Sequence, residues 1–192
     1  MLLLSTNTAP ARRLQVGERS MLSAIGKHSV AGAVAVTRMG LAGDEQADLS
    51  VHGGLDKAVY AYPLEHYAYW QAQRREHGVS LFDEALPHGF MGENLTVSGL
   101  LEQEVWVSDS LHFAHCVLRV EAPRQPCGKF VAVMGFPQAA RDMVRTRRCG
   151  WYLSVVQTGS VQAGEGFTLE PGPRALGVGD ALMAQGAKHL RS

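Results

Sequence analysis

Short apolar runs recur along most of the chain, and many alternate with polar positions at the period of two that is typical of β-strands. An apolar opening within residues 1–20 predicts a short strand followed by a loop. Further strands are predicted at 29–38, 55–62, 92–97, 105–107, 111–113, 116–120, 151–157, 161–163, 167–169 and 181–184, most of them separated by glycine turns.

Only two segments have the spacing of an amphipathic helix. Residues 64–77 carry apolar side chains near helical spacing, with Pro63 suited to the first helical position and Gly78 at the end. Residues 137–148 repeat the pattern, with apolar positions facing inward and arginines outward. Many short strands with two helices predict a mainly β fold with flanking helices, closer to a barrel or folded sheet than to alternating βαβ units.

Length and charge narrow the class of protein. A chain of 192 residues with 46% hydrophobic and 19% charged residues suits one globular domain. Lys+Arg and Asp+Glu both number 18, so bulk charge gives no sign of a nucleic-acid or membrane partner. The opening Met1-Leu2-Leu3-Leu4 is too short for a signal peptide, and no run approaches the ~20 apolar residues of a membrane span. We therefore expect a soluble, cytoplasmic protein.

Several common site motifs are missing. Three widely spaced cysteines without a CxxC argue against a disulfide framework, a zinc ribbon or an iron–sulfur site. There is no P-loop, no GxGxxG after a strand, no HExxH and no GxSxG. His112 and His115, three apart on a predicted strand, would point to opposite faces.

Cys127 is the most informative single residue. Pro123 and Pro126 stiffen the segment before it, because each fixes its own φ and biases the preceding residue toward extended geometry. Arg124 and Lys129 are close in sequence, and cationic neighbours favour the thiolate, which is the form that binds metals or attacks electrophiles. The alternative, that Cys127 is merely a small buried apolar residue, stays open on these grounds.

This thiol is one member of a set of residues that also includes cationic side chains, glycines, one carboxylate and one carboxamide. Its members are Lys27, His52, Gly53, Gly54, Lys57, Gly92, Glu93, Asn94, Arg124 and Cys127. Paired glycines permit close approach of the backbone to a ligand, although they also simply form turns. Together these residue types suit a phosphate-bearing cofactor with a soft metal.

Four ordered segments resemble a known family. They are GLAGDEQADLSVHGGLDKAVYAYPLEHYAYW, MGENLTVSGL, VEAPRQPCGKF and CGWYLSVVQTGSVQAGE. In this order and spacing they resemble the MOSC domain (molybdenum cofactor sulfurase C-terminal), in particular its stand-alone YiiM-like subgroup. The likeness is strongest over 27–169. Ser108 replaces the usual glycine before Asp109, and residues 174–192 form only a short C-terminal segment, so we expect one MOSC domain over 1–192.

The resemblance implies a MOSC-type β-barrel-like fold that binds the molybdenum cofactor (Mo-molybdopterin). It makes Cys127 the metal ligand and catalytic residue, and it places Lys27, His52, Gly53, Gly54, Lys57, Glu93, Asn94 and Arg124 around the cofactor. Relatives of this kind reduce N-hydroxylated compounds, such as hydroxylaminopurine-type base analogues and amidoximes, to amines. Because the chain has no flavin, nicotinamide or cluster motif, electrons would come from a separate reductase. Cys116 and Cys149 are expected to be structural.

Two other functions remain open. Cys127 could carry a persulfide, in a sulfur carrier or cofactor-delivery domain where the thiolate is a nucleophile. Alternatively, the chain could be a non-catalytic barrel that binds another phosphorylated ligand.

Overall fold

A computed structural model describes residues 1–47, 53–82 and 84–190. Thirteen strands are found in this part of the chain: β1 (Leu2–Thr8), β2 (Arg12–Val16), β3 (Arg19–Ser23), β4 (His28–Ser29), β5 (Ala33–Thr37), β6 (Gly40–Leu41), β7 (Val59–Pro63), β8 (Leu95–Ser98), β9 (Ser110–His112), β10 (Val117–Pro123), β11 (Trp151–Gln157), β12 (Gly159–Gln162) and β13 (Thr168–Glu170). The helices are α1 (Tyr67–Glu76), α2 (Gly128–Met134), α3 (Ala139–Thr146) and α4 (Val178–Gly186), with short 3-10 turns at Leu55–Lys57, Leu64–His66, Glu102–Glu104 and Ala187–Leu190.

Eight strands form one large sheet in the order β13-β9-β10-β11-β7-β8-β1-β4. Its pairs are antiparallel except β7 with β8, which run parallel. The sheet does not close, but it curls: Leu2 forms an isolated bridge with Gly166, just before β13, and Leu3 N donates to Glu165 O at 2.9 Å. The prediction of a mainly β, barrel-like fold with flanking helices is therefore confirmed. A second sheet, β12-β5-β6, and the hairpin β2-β3 complete the strands.

The two predicted helices are present as α1 and α3, but the strand predicted at 181–184 is wrong. This segment lies within helix α4, in which Val178, Ala181 and Leu182 are buried at the three- and four-residue spacing of one helix face. Its residues Ala-Leu-Met-Ala are strong helix formers and none is β-branched, which the apolar run alone concealed. The strand predicted at 105–107 is reduced to a single bridge between Trp106 and Gly177.

Two elements that shape the candidate site were not predicted. The region after β1, expected to be a loop, is the hairpin β2-β3, which turns at Gly17 with φ 60°. Helix α2 begins immediately after Cys127 and ends at Gly135, whose φ of 81° is the left-handed cap that glycine supplies without strain. Both elements adjoin the cleft described below.

One hydrophobic core joins buried residues of the large sheet, of the second sheet and of helices α1 to α4. Trp70, Trp151, Tyr62 and Phe130 are its largest fully buried side chains. The start of β11 lies against β7 so closely that a Cβ on Gly150 would meet Ala61 O at 2.3 Å. Among the residues described, no helix has both the length and the apolar composition needed to cross a lipid bilayer.

Candidate functional site

A single cleft contains Cys127 and most of the cations predicted to accompany it. It encloses about 600 Å³ of empty space, part of it open to solvent. The described residues lining it are Ser23, Ala24, Ile25, Lys27, Glu45, Gln46, Ala47, Lys57, Tyr60, Met91, Gly92, Asn94, Arg124, Cys127, Lys129 and Tyr152. Segments from distant parts of the sequence therefore meet at one place: the end of β3, the 44–47 loop, the start of β7, the loop before β8 and the turn between β10 and α2.

Cys127 stands where the backbone changes from strand to helix. Strand β10 ends at Pro123, and Cys127 has extended angles (φ −142°, ψ 170°) as the residue before α2. Its carbonyl accepts the Val131 amide at 3.1 Å, which anchors the residue to the helix. Its side chain is half-buried and lines the cleft. The stiff presentation predicted from the two prolines agrees with this geometry.

Arg124 is a buried cation at the base of the cleft. It is 4% exposed, and its guanidinium carbon lies 4.7 Å from the Phe130 ring centroid and 5.5 Å from that of Tyr60. Nη1 also contacts the Met143 sulfur at 3.9 Å. Among the described residues no carboxylate forms an ion pair with it. The pKa of Arg124 is raised above its ordinary value. Burial lowers it, but nearby groups, among them Tyr60 and Cys127, raise it by more.

Such an arrangement is unusual for a buried charge, because desolvation of an unpaired ion is costly. Aromatic faces offset part of that cost through cation–π attraction. The guanidinium therefore retains capacity for a negative group in the cleft. Two candidates are the Cys127 side chain, which is among the groups that raise the pKa of Arg124, and a bound anion.

Lys27 also lines the cleft and is fixed there by an acidic residue that sequence reasoning did not single out. Its Nζ pairs with Asp44 Oδ1, and both side chains are less than 10% exposed (7% and 8%). Burial lowers the pKa of Lys27, while Asp44 counteracts this shift. Asp44 Oδ1 also accepts the Ala9 amide at 2.9 Å, and its Oδ2 accepts Asn94 Nδ2 at 2.8 Å.

The Asn94 carboxamide joins three parts of the fold. Its oxygen accepts the Tyr60 amide at 3.0 Å, and its nitrogen donates to Asp44 and, at 3.3 Å, to Asn7 O. Both of its N–H bonds are therefore engaged within the protein. Asn94 lines the cleft as predicted, but its amide secures the cleft wall rather than offering a spare donor.

Two tyrosines and a lysine form the remaining side of the cleft. Tyr60 and Tyr152 lie 5.4 Å apart between ring centroids, and Lys57 Nζ lies 5.9 Å from the Tyr152 ring. Tyr60 is held by its hydroxyl, which donates to Cys149 O at 2.8 Å. Burial raises the pKa of Tyr152, although nearby Arg124 lowers it. Both phenols are thus in their neutral form at ordinary pH.

Glu93 does not line the cleft but lies beneath it, fully buried. Its Oε1 accepts the Tyr67 hydroxyl, the Gly89 amide at 2.8 Å and the Thr96 hydroxyl at 2.8 Å. Its Oε2 is buried and has no hydrogen-bond partner among the residues that the structure describes. Burial raises the pKa of Glu93, since desolvation disfavours the carboxylate. A role in cofactor binding stays a prediction for this residue, and the observed contacts are those of a structural anchor.

The glycines of the predicted set lie in different places. Gly92 lines the cleft with φ 86°, and a Cβ there would meet Ile25 Cγ1 at 2.7 Å, so glycine permits the close approach of the two walls. Gly53 and Gly54 are outside the lining, and the Gly54 amide donates to Gln46 Oε1 at 2.7 Å. That bond holds Gln46, which does line the cleft. His52 lies outside the residues that the structure describes.

The other two cysteines differ from Cys127 in being fully enclosed. Cys116 is 1% exposed and Cys149 is 0% exposed. Burial raises the pKa of Cys116 to about 12, and it raises the pKa of Cys149 well above its ordinary value. Both therefore remain thiols, in agreement with the structural role expected for them.

Three comparisons with known proteins agree on one family. The family model described as "MOSC domain" matches residues 48–168. Protein YiiM of Escherichia coli (strain K12) is 36% identical over 151 residues, covering 79% of this chain and 65% of YiiM. A crystal structure of YiiM from Geobacillus stearothermophilus superposes with a TM-score of 0.74 at 28% identity, covering 97% of this chain and 84% of that one.

A third relative is much longer. A protein named "Reductase" from Gibberella moniliformis (strain M3125 / FGSC 7600) is 34% identical over 148 residues, which is 77% of this chain but only 25% of the fungal protein. The chain thus spans just under two thirds of E. coli YiiM and a quarter of the fungal reductase.

Proposed function

This chain belongs to the MOSC domain family, and from that premise we propose that it binds the molybdenum cofactor in the Cys127 cleft and reduces N-hydroxylated compounds to amines. MOSC domains are associated with the molybdenum cofactor, and a relative in the family is named as a reductase. The observation that carries the proposal is the pairing of Cys127 with Arg124: a half-buried thiol and a buried cation without an ion-pair partner among the described residues face one cleft.

The donor set of the cleft fits this cofactor. A soft metal prefers a thiolate ligand, and Cys127 lines the cleft. A pterin phosphate needs cations, and Lys27, Lys57 and Lys129 also line the cleft, with Glu45 the only carboxylate among its described lining residues. When bound, the cofactor would supply a metal with two-electron redox chemistry suited to removing the oxygen of an N–OH group.

The residues of this chain have distinct parts in that scheme. Cys127 Sγ would hold the metal, and the Arg124 guanidinium would stabilise negative charge on Sγ and on the departing oxygen. Tyr60 and Phe130 cover two approaches to Arg124, which excludes water from it and strengthens its electrostatic effect. Asp44 keeps the Lys27 ammonium directed along the wall of the cleft.

The overall reaction is balanced by two electrons and two protons for each N–OH group, with the amine and one water as products. We propose that a separate reductase or electron-transfer protein delivers the electrons. We also propose that the substrates are hydroxylaminopurine-type bases and amidoximes.

The test compares the two kinds of cysteine. The wild type, Cys127→Ser and the control Cys116→Ala are produced in a host that makes the cofactor, and each is assayed for bound molybdenum and for benzamidoxime reduction with an artificial electron donor. We expect Cys127→Ser to lose its bound molybdenum and to reduce benzamidoxime at least about 100-fold more slowly than the wild type. Cys116→Ala should keep both the metal and the activity.

Equal activity in Cys127→Ser and wild type would contradict the assigned role of this thiol. Cyanide-releasable sulfur on Cys127 in a protein that binds no molybdenum would instead identify the sulfur-carrier function.

A further inference from the structure

Tyr152 contributes a second tyrosine ring to the Cys127 cleft, next to that of Tyr60. It lies on β11, where it pairs with Tyr60 of β7 and with Ala122 of β10. Residues directly opposite each other in an antiparallel pair place their side chains on the same face of the sheet, and both tyrosines line the cleft. Tyr152 is the more accessible of the two, since it is half-buried whereas Tyr60 is 4% exposed.

The neighbours of the Tyr152 ring hold it in place. Its centroid lies 5.4 Å from that of Tyr60, and the two ring planes are inclined by 47°. Lys57 Nζ lies 5.9 Å from the Tyr152 centroid, a distance at which an ammonium is attracted to an aromatic ring. The phenol hydroxyl therefore has a defined position, which lowers the entropic cost of binding a ligand to it.

The two tyrosines use their hydroxyls differently. Tyr60 donates its O–H to Cys149 O at 2.8 Å, so this hydrogen is engaged within the protein. Burial raises the pKa of Tyr152, whereas the charge of Arg124 and a hydrogen bond from its guanidinium to the Tyr152 oxygen lower it. Because arginine has donors only, that contact leaves the Tyr152 hydrogen unused. Among the residues described, none accepts a hydrogen bond from Tyr152.

A phenol next to a guanidinium is well suited to bind an oxygen atom. A hydrogen bond from Arg124 to the Tyr152 oxygen polarises the hydroxyl and makes its O–H a stronger donor. When an N–O bond breaks, negative charge builds up on the departing oxygen, so a hydrogen bond to this oxygen strengthens in the transition state. Because reduction removes only that oxygen, a donor directed at it distinguishes the substrate from the amine product.

With the proposed function as premise, we propose that Tyr152 donates a hydrogen bond to the oxygen of the N–OH group and thereby selects N-hydroxylated ligands over the corresponding amines. Arg124 then has a second part, which is to hold and polarise this phenol. Tyr152→Phe keeps the ring between Tyr60 and Lys57 and removes only the hydroxyl, so it isolates the hydrogen bond.

Binding is measured first, without turnover. 6-Hydroxylaminopurine and adenine differ by one oxygen, and both are uncharged at neutral pH. Each is titrated by calorimetry, without an electron donor, into cofactor-loaded wild type, Tyr152→Phe and the control Tyr69→Phe. Tyr69 is likewise half-buried but does not line the cleft. We expect only Tyr152→Phe to bind 6-hydroxylaminopurine about tenfold more weakly, with its affinity for adenine and its molybdenum content unchanged.

Steady-state kinetics with an artificial electron donor give a second readout. Tyr152→Phe should lower kcat/KM for 6-hydroxylaminopurine by at least about tenfold, because the hydrogen bond is made to the substrate and strengthens in the transition state. Tyr69→Phe should match the wild type. A kcat/KM of Tyr152→Phe equal to that of the wild type would contradict the proposal.

The outcomes separate this residue from the function as a whole. A wild type that binds the two purines equally would overturn the role of Tyr152 together with the proposed substrate class. A wild type that prefers 6-hydroxylaminopurine, with the same preference in Tyr152→Phe, would overturn the role of Tyr152 alone. Loss of molybdenum from Tyr152→Phe would also overturn it, because the hydroxyl would then serve the cofactor instead of the substrate.

Discussion

Glu102 and Arg124 are both buried charges close to Gly150, yet their surroundings differ. Glu102 Oε1 accepts the amides of Cys149 at 2.9 Å and Gly150 at 2.7 Å, and its Oε2 lies 2.7 Å from His66 Nε2. Around the Arg124 guanidinium, the part of the chain that the structure describes provides aromatic rings, the Met143 thioether and the Tyr152 hydroxyl, but no carboxylate.

The difference distinguishes structural from functional charge. A buried ion whose hydrogen-bonding capacity is filled by the protein holds the fold together and has nothing left for a ligand. A buried ion that faces a cavity without a counter-ion is kept at a cost in stability, which is expected at a site that binds something. Stability and ligand binding should therefore respond oppositely to mutation at the two residues.

The largest expected effect is on stability, at Glu102. Glu102→Ala leaves two buried amides and His66 without their acceptor, and we expect the free energy of unfolding to fall by about 3–5 kcal/mol. Denaturant titration of the wild type and the variant measures this. A loss below about 1 kcal/mol would remove the distinction between the two charges.

Asp44 should show an intermediate effect on stability, because its carboxylate both stabilises the fold and holds the Lys27 ammonium in position. Asp44→Asn leaves the buried Lys27 ammonium without its ion pair, with an expected cost of about 1–3 kcal/mol. Glu45→Gln, at the neighbouring and more exposed carboxylate, is the control and should change stability by less than about 0.5 kcal/mol.

A double-mutant cycle with Lys27→Met separates the ion pair from the other contacts of Asp44. Once Lys27 is absent, Asp44→Asn should cost less than it does in the wild type. An unchanged cost would assign the effect of Asp44 to its bonds with Ala9 and Asn94 instead.

Arg124→Met should do the reverse of Glu102→Ala. The substitution removes an unpaired buried charge and keeps apolar volume, so the free energy of unfolding of cofactor-free protein is expected to stay within about 1 kcal/mol of the wild type. Molybdenum content after production in a cofactor-making host should fall at least about tenfold. Retention of molybdenum together with a large loss of stability would show that Arg124 is structural.

The smallest effect concerns pH and Glu93. Burial raises the pKa of Glu93 above its ordinary 4.5, so the folded state keeps a proton that the unfolded state releases. Between these two pKa values stability therefore falls as pH rises, with a slope of at most about 1.4 kcal/mol per pH unit from this group. Glu93→Gln should remove that part of the slope above pH 4.5. A variant with the wild-type slope would show that Glu93 is charged in the folded protein.

The family motifs identified most of the cleft, because most of the residues that line it lie within the quoted segments. Lys57, Asn94, Arg124 and Cys127 lie in one cleft, and Lys27 joins them from 13 residues before the first segment. The motifs could not show which side chains face the cleft and which turn away. Glu93, between two lining residues, points into a buried hydrogen-bond network.

Other features depended on long-range packing that a single sequence does not display. Asp44 stands within a quoted segment, but its importance arises from contacts with Lys27 and Asn94, 17 and 50 residues away. Helix α4 was predicted as a strand because its apolar run is short; a Cβ on Gly186 would lie 2.8 Å from Val144 Cγ2, which shows how tightly this helix packs against α3. That the whole chain forms a single domain stays a prediction.

The most direct test of the Cys127 site is X-ray absorption at the molybdenum edge of protein isolated with its cofactor. The account predicts that Cys127→Ser either loses the metal or retains it with one fewer sulfur neighbour than the wild type, while Cys116→Ala matches the wild type. An unchanged number of sulfur neighbours and full metal content in Cys127→Ser would contradict the account.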